Sequence, residues 1–458
     1  MELVYNVKDK PPFGKTLVFA LQQLLAILAA TIAVPAVVGN GMSQSAALFG
    51  AGVGTIVYLL FTKFRSPVFL GSSFAFIGSM MAAFAGGVSM SVGYLGLIIG
   101  AGFAGLVYVI IALVVKKAGV NWLNKLMPAV VVGPTVAIIG LSLAGNAIGD
   151  LTSGGLKDAF GGSVCNSYVA LICGLVTLFT VIACSVYGKK MLKLIPFIIG
   201  ILAGYAAALI FTVIGNAADV EALKLINFGN FTALVSGGVS LETFISVPKF
   251  TFLTAFGGFG EISGSYIGTV AVAYVPVAFV VFAEHIADHK NISSIIEKDL
   301  LEEPGLHRTL LGDGVGSMVG ALFGGCPNTT YGESVACVAI TRNASVATII
   351  AAAFGAIIVS FVNPFVAFVN SIPSCVMGGV CMALYGFIAV SGLKMVQKVD
   401  LNENKNLFVV SAILIAGIGG LSLTFGKITL TAVATSLILG IIVNLILSRK
   451  KTEENETK

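Results

Sequence analysis

Charge is what this sequence has least of. Asp, Glu, Lys and Arg make up 10% of the 458 residues and hydrophobic residues 57%, whereas soluble domains carry about 25% charge. That balance excludes a cytosolic enzyme, a secreted domain and a disordered chain. The seven cysteines show no Cys-x-x-Cys and no Cys/His spacing. Neither a zinc site nor a disulfide framework is indicated, and no metal or other cofactor is expected. A His-Glu-x-x-His helix and a Gly-x-Ser-x-Gly turn are also missing, which argues against an intramembrane hydrolase, and no enzyme activity is expected. The net charge of +5 is spread over loops, so no nucleic-acid partner is implied. The opening MELVYNVKDKPPFGK is polar and holds two prolines, unlike a cleaved signal peptide.

Long uncharged runs are what the chain does have. Charges are expensive in hydrocarbon, so the gaps between them mark spans. The gaps Lys15–Lys63, Arg65–Lys116 and Arg342–Lys394 each fit two helices of about 20 residues. Residues 126–149, 159–188, 194–218, 262–283, 314–332, 406–426 and 428–448 each fit one. A further segment, 326–342, is broken by Pro327, Gly332 and Glu333, giving fourteen in all. The fold class expected is an all-α polytopic membrane protein. The runs are continuous rather than alternating, which excludes a β-barrel. With the N-terminus in the cytoplasm, most Lys and Arg, from Lys63 and Arg65 through Lys125, Lys190, Lys193 and Arg342 to Lys451, fall inside. Only Lys157, Lys224, Lys249 and Lys427 fall outside. Both termini are therefore expected in the cytoplasm.

The polar stretch 215–262 divides seven spans from seven. An odd number per half inverts the second half relative to the first, which is a transporter architecture with its site near the midplane. Its pointer is a pair of interrupted segments at matching positions. Ser66-Pro67-Val68-Phe69-Leu70-Gly71-Ser72-Ser73-Phe74 interrupts the third span, and Cys326-Pro327-Asn328-Thr329-Thr330-Tyr331-Gly332-Glu333-Ser334 the tenth. Proline removes a backbone donor and opposes helix. Each stretch is expected to be short and extended, followed by a half-helix whose free N–H groups meet a ligand's oxygens.

Four acids lie in or beside spans: Glu284, Asp288, Asp313 and Glu333. An ionisable residue inside a span is a functional candidate by default. Glu284 and Asp288 are four apart, hence on one helix face. Asp288, His285 and His289 approach the cytoplasmic loop, where water would equally solvate them, and Asp313 also suits a helix end. A carboxyl removed from water favours its neutral form, which offers a route to proton coupling through Glu284, Asp288, Asp313 or Glu333.

Several long strings carry a resemblance. They are Leu70-Gly71-Ser72-Ser73-Phe74-Ala75-Phe76, Ala283-Glu284-His285, Pro304-Gly305-Leu306-His307-Arg308, Pro327-Asn328-Thr329-Thr330-Tyr331-Gly332-Glu333 and Ala339-Ile340-Thr341-Arg342. Through them nearly the whole chain resembles the uracil-carrying branch of the nucleobase/ascorbate transporter family. The resemblance implies fourteen spans as 7+7 inverted repeats and a homodimer in the cell membrane. It divides the chain into an N-terminal segment (1–14), core (15–125 and 263–369), gate (126–214 and 370–448), extracellular linker (215–262) and tail (449–458). It implies uracil import with a proton as co-substrate. Glu284 and Glu333 would bond the base, Phe74 and Gly332 would offer backbone N–H groups, and Ser73, Tyr331 and Ala30 would line the pocket. Tyr385 would be a gate-side aromatic.

The pattern also departs from the family's. Asp288 stands where uracil carriers have His, as in purine-transporting relatives, which keeps a xanthine or uric acid carrier, proton- or sodium-coupled, as the alternative. Gln22-Gln23 replaces a Gln-His pair, and Ser334 and Ala336 replace Asn and Gly. Asp313 matches an Asp that several relatives use in ion coupling. An anion transporter or channel of the same fold should favour fixed cations at its pore, and Arg342, the cation near a broken segment, is expected at a cytoplasmic end.

Overall fold

The computed structural model describes residues 3–119, 128–156, 164–189, 191–425 and 428–456. Lys125, Lys157, Lys190 and Lys427, used above for orientation, lie outside the described residues, as do the junction at 125–126 and the start of the segment expected from 159. The first half runs through α1 (Phe13–Val38), α2 (Gln44–Phe61), β1 (Leu70–Ser72), α3 (Ile77–Ala83) and α4 (Met90–Ala118). It continues through α5 (Ala129–Ser142), α6 (Ala144–Leu151), α7 (Ser167–Tyr187) and α8 (Pro196–Ala218). The second half holds α9 (Gly264–Ile296), α10 (Leu306–Gly324), β2 (Asn328–Thr330), α11 (Gly332–Thr341) and α12 (Val346–Ser360). After these come α13 (Asn363–Ser371), α14 (Ser374–Val396), α15 (Asn404–Ile418), the pair β3 (Leu423–Phe425) and β4 (Ile428–Leu430), and α16 (Ala432–Glu456).

Local chemistry sets the helix starts. Ser43, Ser89, Asn166 and Ser263 each accept a hydrogen bond from a first-turn N–H of α2, α4, α7 and α9. Such caps satisfy donors that the helix itself cannot. Proline opens α8, where its missing N–H costs nothing. Among the described residues, eight helical stretches are long and apolar enough to cross a bilayer, and five shorter apolar helices accompany them. The protein is an all-helical, multi-pass membrane protein, and among the described residues its strands form two short antiparallel pairs.

Two expectations shift. The apolar run placed at 262–283 does not end there: α9 continues to Ile296, so Glu284 sits well inside a helix. The span placed at 314–332 begins earlier, as α10 from Leu306. Counting from charge gaps misplaced both because Glu284 and Asp313 are buried or partly buried with partners or a cavity to face, and so do not mark a membrane edge.

Packing partners fall into two groups. In one, α2 packs on α10 and α12, α4 on α10 and α9, and α1 on α12. In the other, α14 packs on α5, α6 and α7, α8 on α7, and α15 on α5 and α16. The first group is held by close backbone approach. Gly50 and Gly54 of α2 face Gly316 and Gly320 of α10, small residues at a spacing that lets membrane helices touch. A Cβ at Gly320 would lie 2.2 Å from Asn328 Nδ2, and that amide donates to Gly50 O at 3.1 Å. The crossing thus grips β2 through Asn328. Gly320→Ala is expected to destabilise the protein by about 1–3 kcal/mol through overpacking. Gly355→Ala, whose Cβ would meet only Leu24 at 3.5 Å, is expected to leave the thermal midpoint in detergent unchanged or slightly raised.

Candidate functional site

The two broken segments meet. β1 and β2 pair antiparallel with Leu70 opposite Thr330, Gly71 opposite Thr329 and Ser72 opposite Asn328. Ser73 N–H donates to Pro327 O at 2.9 Å and Tyr331 N–H to Phe69 O at 3.2 Å, which extends the pairing at both ends. Tyr331 lies over Gly71, where a Cβ would come within 2.3 Å of the ring. Its hydroxyl donates to Ser72 O at 2.7 Å. Both strands are fully buried, the setting in which non-helical backbone is tolerated at membrane depth.

A helix start follows each strand. A 3₁₀ turn, Phe74–Phe76, runs into α3, and α11 opens at Gly332; no side chain caps either. The first N–H groups of a helix have no intrahelical acceptor, and its N-terminus carries partial positive charge. Both starts border one cavity of about 450 Å³, lined by Phe74, Thr330, Tyr331, Gly332 and Glu333 on this side. Glu284, Ala287 and Asp288 of α9 form its second wall; Val136 and Ile139 of α5 and Leu384 and Phe387 of α14 form the third. The cavity continues past Ile340 and Met395 to Lys193, residues beside or among the cations expected in the cytoplasm.

The acid face of α9 is ordered from β2: Thr330 Oγ1 donates to Asp288 Oδ2 at 2.8 Å. His285 and His289, each one residue further along, occupy the neighbouring face. They were expected within reach of water at a cytoplasmic end, yet both are 0% exposed. His285 Nδ1 lies 2.6 Å from Asp313 Oδ2, and its Nε2 lies 3.0 Å from Thr309 Oγ1. His289 stacks on His285 with ring centroids 4.0 Å apart, and its Nδ1 donates to His285 O at 2.8 Å. That bond leaves Nε2 facing the Tyr58 hydroxyl at 2.7 Å, which in turn bonds Ser66 Oγ at 2.6 Å. Two i,i+4 registers therefore share α9: acids toward the cavity, imidazoles clamped to α10 and α2.

Six sequence candidates converge on the cavity: Glu284, Asp288, Glu333, Phe74, Tyr331 and Gly332. Four do not line it. Ser73 is buried with its N–H in the strand pairing. Ala30 is buried within α1, 1% exposed. Tyr385 stands behind Phe74, edge to face at 5.9 Å. Asp313 lies behind α9 against His285 rather than at a helix end. Sequence reasoning missed Thr330 and Asn328 as the residues that seat Asp288 and β2. The paired Gly-x-x-x-Gly spacings at 50/54 and 316/320 were a readable signal for the latter. It also missed that two departures from the family pattern touch each other. Gln23 Nε2 donates to Ser334 Oγ, which also accepts the Phe69 N–H at 2.9 Å.

The sequence model described as the permease family matches residues 14–426. The chain belongs to this family. As a permease it has full-length relatives. It is 39% identical to the uracil permease of Bacillus caldolyticus over 99% of this chain and 96% of that one. It is 38% identical to the uracil permease of Bacillus subtilis (strain 168), over 99% and 97%. Against the uracil permease of Escherichia coli (strain K12) the figures are 34%, 96% and 93%. These relatives are transporters rather than enzymes. In fold, this permease is similar to the transmembrane domain of a cyanobacterium bicarbonate transporter, BicA, with a TM-score of 0.63 at 14% identity, over 96% of this chain and 100% of that one. Murine Slc26a9, an anion transporter, gives 0.64 at 11%, over 97% and 70%. At such identities the likeness is one of fold alone.

Proposed function

We propose that this permease imports uracil across the cell membrane by proton symport. The observation that carries the reading is a single cavity in which three carboxylates, Glu284, Asp288 and Glu333, face two uncapped helix starts at Phe74 and Gly332. Uracil offers two ring N–H donors and two carbonyl acceptors. Carboxylates take the donors and orphan backbone amides take the acceptors. A site of this kind rejects analogues that leave its buried groups unpaired.

The two packing groups support alternating access. The chain would form fourteen segments as 7+7 inverted repeats, with core (15–125, 263–369) and gate (126–214, 370–448) joined by the linker 215–262. The core carries the acids and the gate supplies the apolar wall. The path past Lys193 and Met395 then makes this an inward-facing arrangement. An ionised empty site is costly to enclose in low dielectric, whereas a protonated, loaded one is not. Protonation among Glu284, Asp288, Glu333 and Asp313 thereby ties the proton to the cargo. The family resemblance adds a homodimer with both termini in the cytoplasm.

Asp288, bonded to Thr330 in the cavity wall, favours a second reading, a xanthine or uric acid carrier. An anion carrier of this fold fits less well, because the charged lining is acidic apart from Lys193 at the far end. Proteoliposomes with imposed gradients and a panel of bases decide among them. Uracil accumulation is expected to rise at least about tenfold as external pH falls from 8 to 6, and to collapse with a protonophore. Uptake that survives the protonophore but needs external sodium refutes proton symport. Xanthine outcompeting uracil reverses the substrate assignment.

A further inference from the structure

A second cavity, about 210 Å³, lies beyond Phe74. It shares three lining residues with the binding cavity, Phe74, Ala75 and Ile139. Thr431, Ala432 and Val433 at the start of α16 form one wall, and the others follow the helices of the first cavity onward. On α9 the lining moves from Asp288 back to Val277, on α5 from Val136 to Ser142 and on to Asn146 of α6, and past Phe74 into α3 to Gly78 and Met81. At 1.5 Å per residue, the shift amounts to about 16 Å on α9 and about 9 Å on α5. All three point toward the end of α9 at Ser263, which adjoins the linker 215–262. The two cavities therefore stack end to end between the same two packing groups.

Their chemistry differs. The inner cavity holds three carboxylates; among the described residues the outer has no charged lining residue. The Ser79 hydroxyl donates to Ala273 O at 2.7 Å and the Ser142 hydroxyl to Ile139 O at 3.1 Å, so both are already engaged. The space far exceeds the about 15 Å³ that seats one water. Between the cavities stand the Phe74 ring from one group and Ile139 from the other, with Tyr385 buttressing Phe74 edge-on.

We infer that this second cavity is the outer half of the translocation path, a weak transit seat for an uncharged planar base, with Phe74 and Ile139 as the partition that must part for cargo to reach the acids. The inference rests on the transport reading above and deepens it. It explains why the acids face only one side of Phe74: cargo is held where its N–H groups find carboxylates and passes where they do not.

Gly78 gives a direct test. A Cβ there would meet nothing within 4 Å, so Gly78→Phe grows its ring into the outer cavity without a backbone clash. Ser142→Phe plugs it from the facing helix. Both variants are expected to bind uracil in detergent within about threefold of wild type. In proteoliposomes both should lose at least about tenfold in uptake, which corresponds to about 1.4 kcal/mol. Gly78→Ala should transport normally. Wild-type uptake in both Phe variants overturns the inference, and so does loss of binding together with uptake in both. A cargo-independent arm separates this from failure of the uracil reading. With wild type as the background control, Ser142→Cys should react with a membrane-impermeant thiol reagent from outside, and Val136→Cys from inside. If wild type binds no uracil, the substrate reading falls and labelling alone decides the path. Reaction of Ser142→Cys only from inside refutes it.

Discussion

Glu333→Gln and Glu284→Gln are each expected to raise the Kd for uracil by roughly 10- to 100-fold. Gln keeps the shape of Glu but carries no charge, and its amide nitrogen cannot accept. A hydrogen bond to a charged group contributes about 1.5–3 kcal/mol, and each 1.4 kcal/mol is tenfold in Kd. The two acids approach from different elements, Glu284 from α9 and Glu333 from the first turn of α11. In the proposed binding mode they would serve different edges of the base, and both losses should appear. Neither side chain is sealed in the protein interior, so the thermal midpoint in detergent should stay within a few degrees of wild type. Isothermal titration with uracil and a melting curve on the same sample separate affinity from folding. A change below about threefold in both variants removes these acids from the pocket.

Asp313→Ala is expected to produce the larger loss of stability. It strips His285 Nδ1 of its partner in a site where both side chains are 0% exposed, leaving only the Thr309 contact at Nε2. Leaving a buried polar group without its hydrogen-bond partner costs about 1–3 kcal/mol, whereas replacing both members with apolar groups of the same shape is often nearly neutral. Asp313→Leu combined with His285→Phe should therefore melt well above Asp313→Ala. The same double variant tests whether the pair also positions the acids. His285 and Glu284 are adjacent on α9, and the clamp on one face sets the rotation of the other. Uracil binding in the double variant should stay at least about tenfold weaker than wild type despite recovered stability. Recovery of both properties assigns the pair a purely structural role.

The site was legible where the backbone is interrupted. Pro67 and Pro327, each followed by small polar residues and a glycine, announced two non-helical stretches, and those stretches became β1 and β2. Glu284 and Glu333 were legible because an acid inside an apolar segment has few reasons to be there. What stayed hidden depended on partners distant in the chain. Nothing local tells that His289 reaches Tyr58, or that Asp313 turns to His285 rather than to a helix end. Tyr385 is one residue from Leu384, and the helical repeat turns it about 100° from that lining residue, whereas Ala30 shares a face with Ala26 but lies a turn further along α1, buried beyond the cavity. The start of α10 was misread for the same reason: a paired charge in the interior resembles a membrane boundary when only spacing is available.

The bond between Gln23 and Ser334 ties α1 to the first turn of α11 and, through Phe69 N–H, to the approach to β1. Positions 23 and 334 are thus an interlock, not two independent choices. Grafting a relative's residue at one of them alone would leave its mate without a counterpart of the right reach. An exchange at either position should therefore be made at both together.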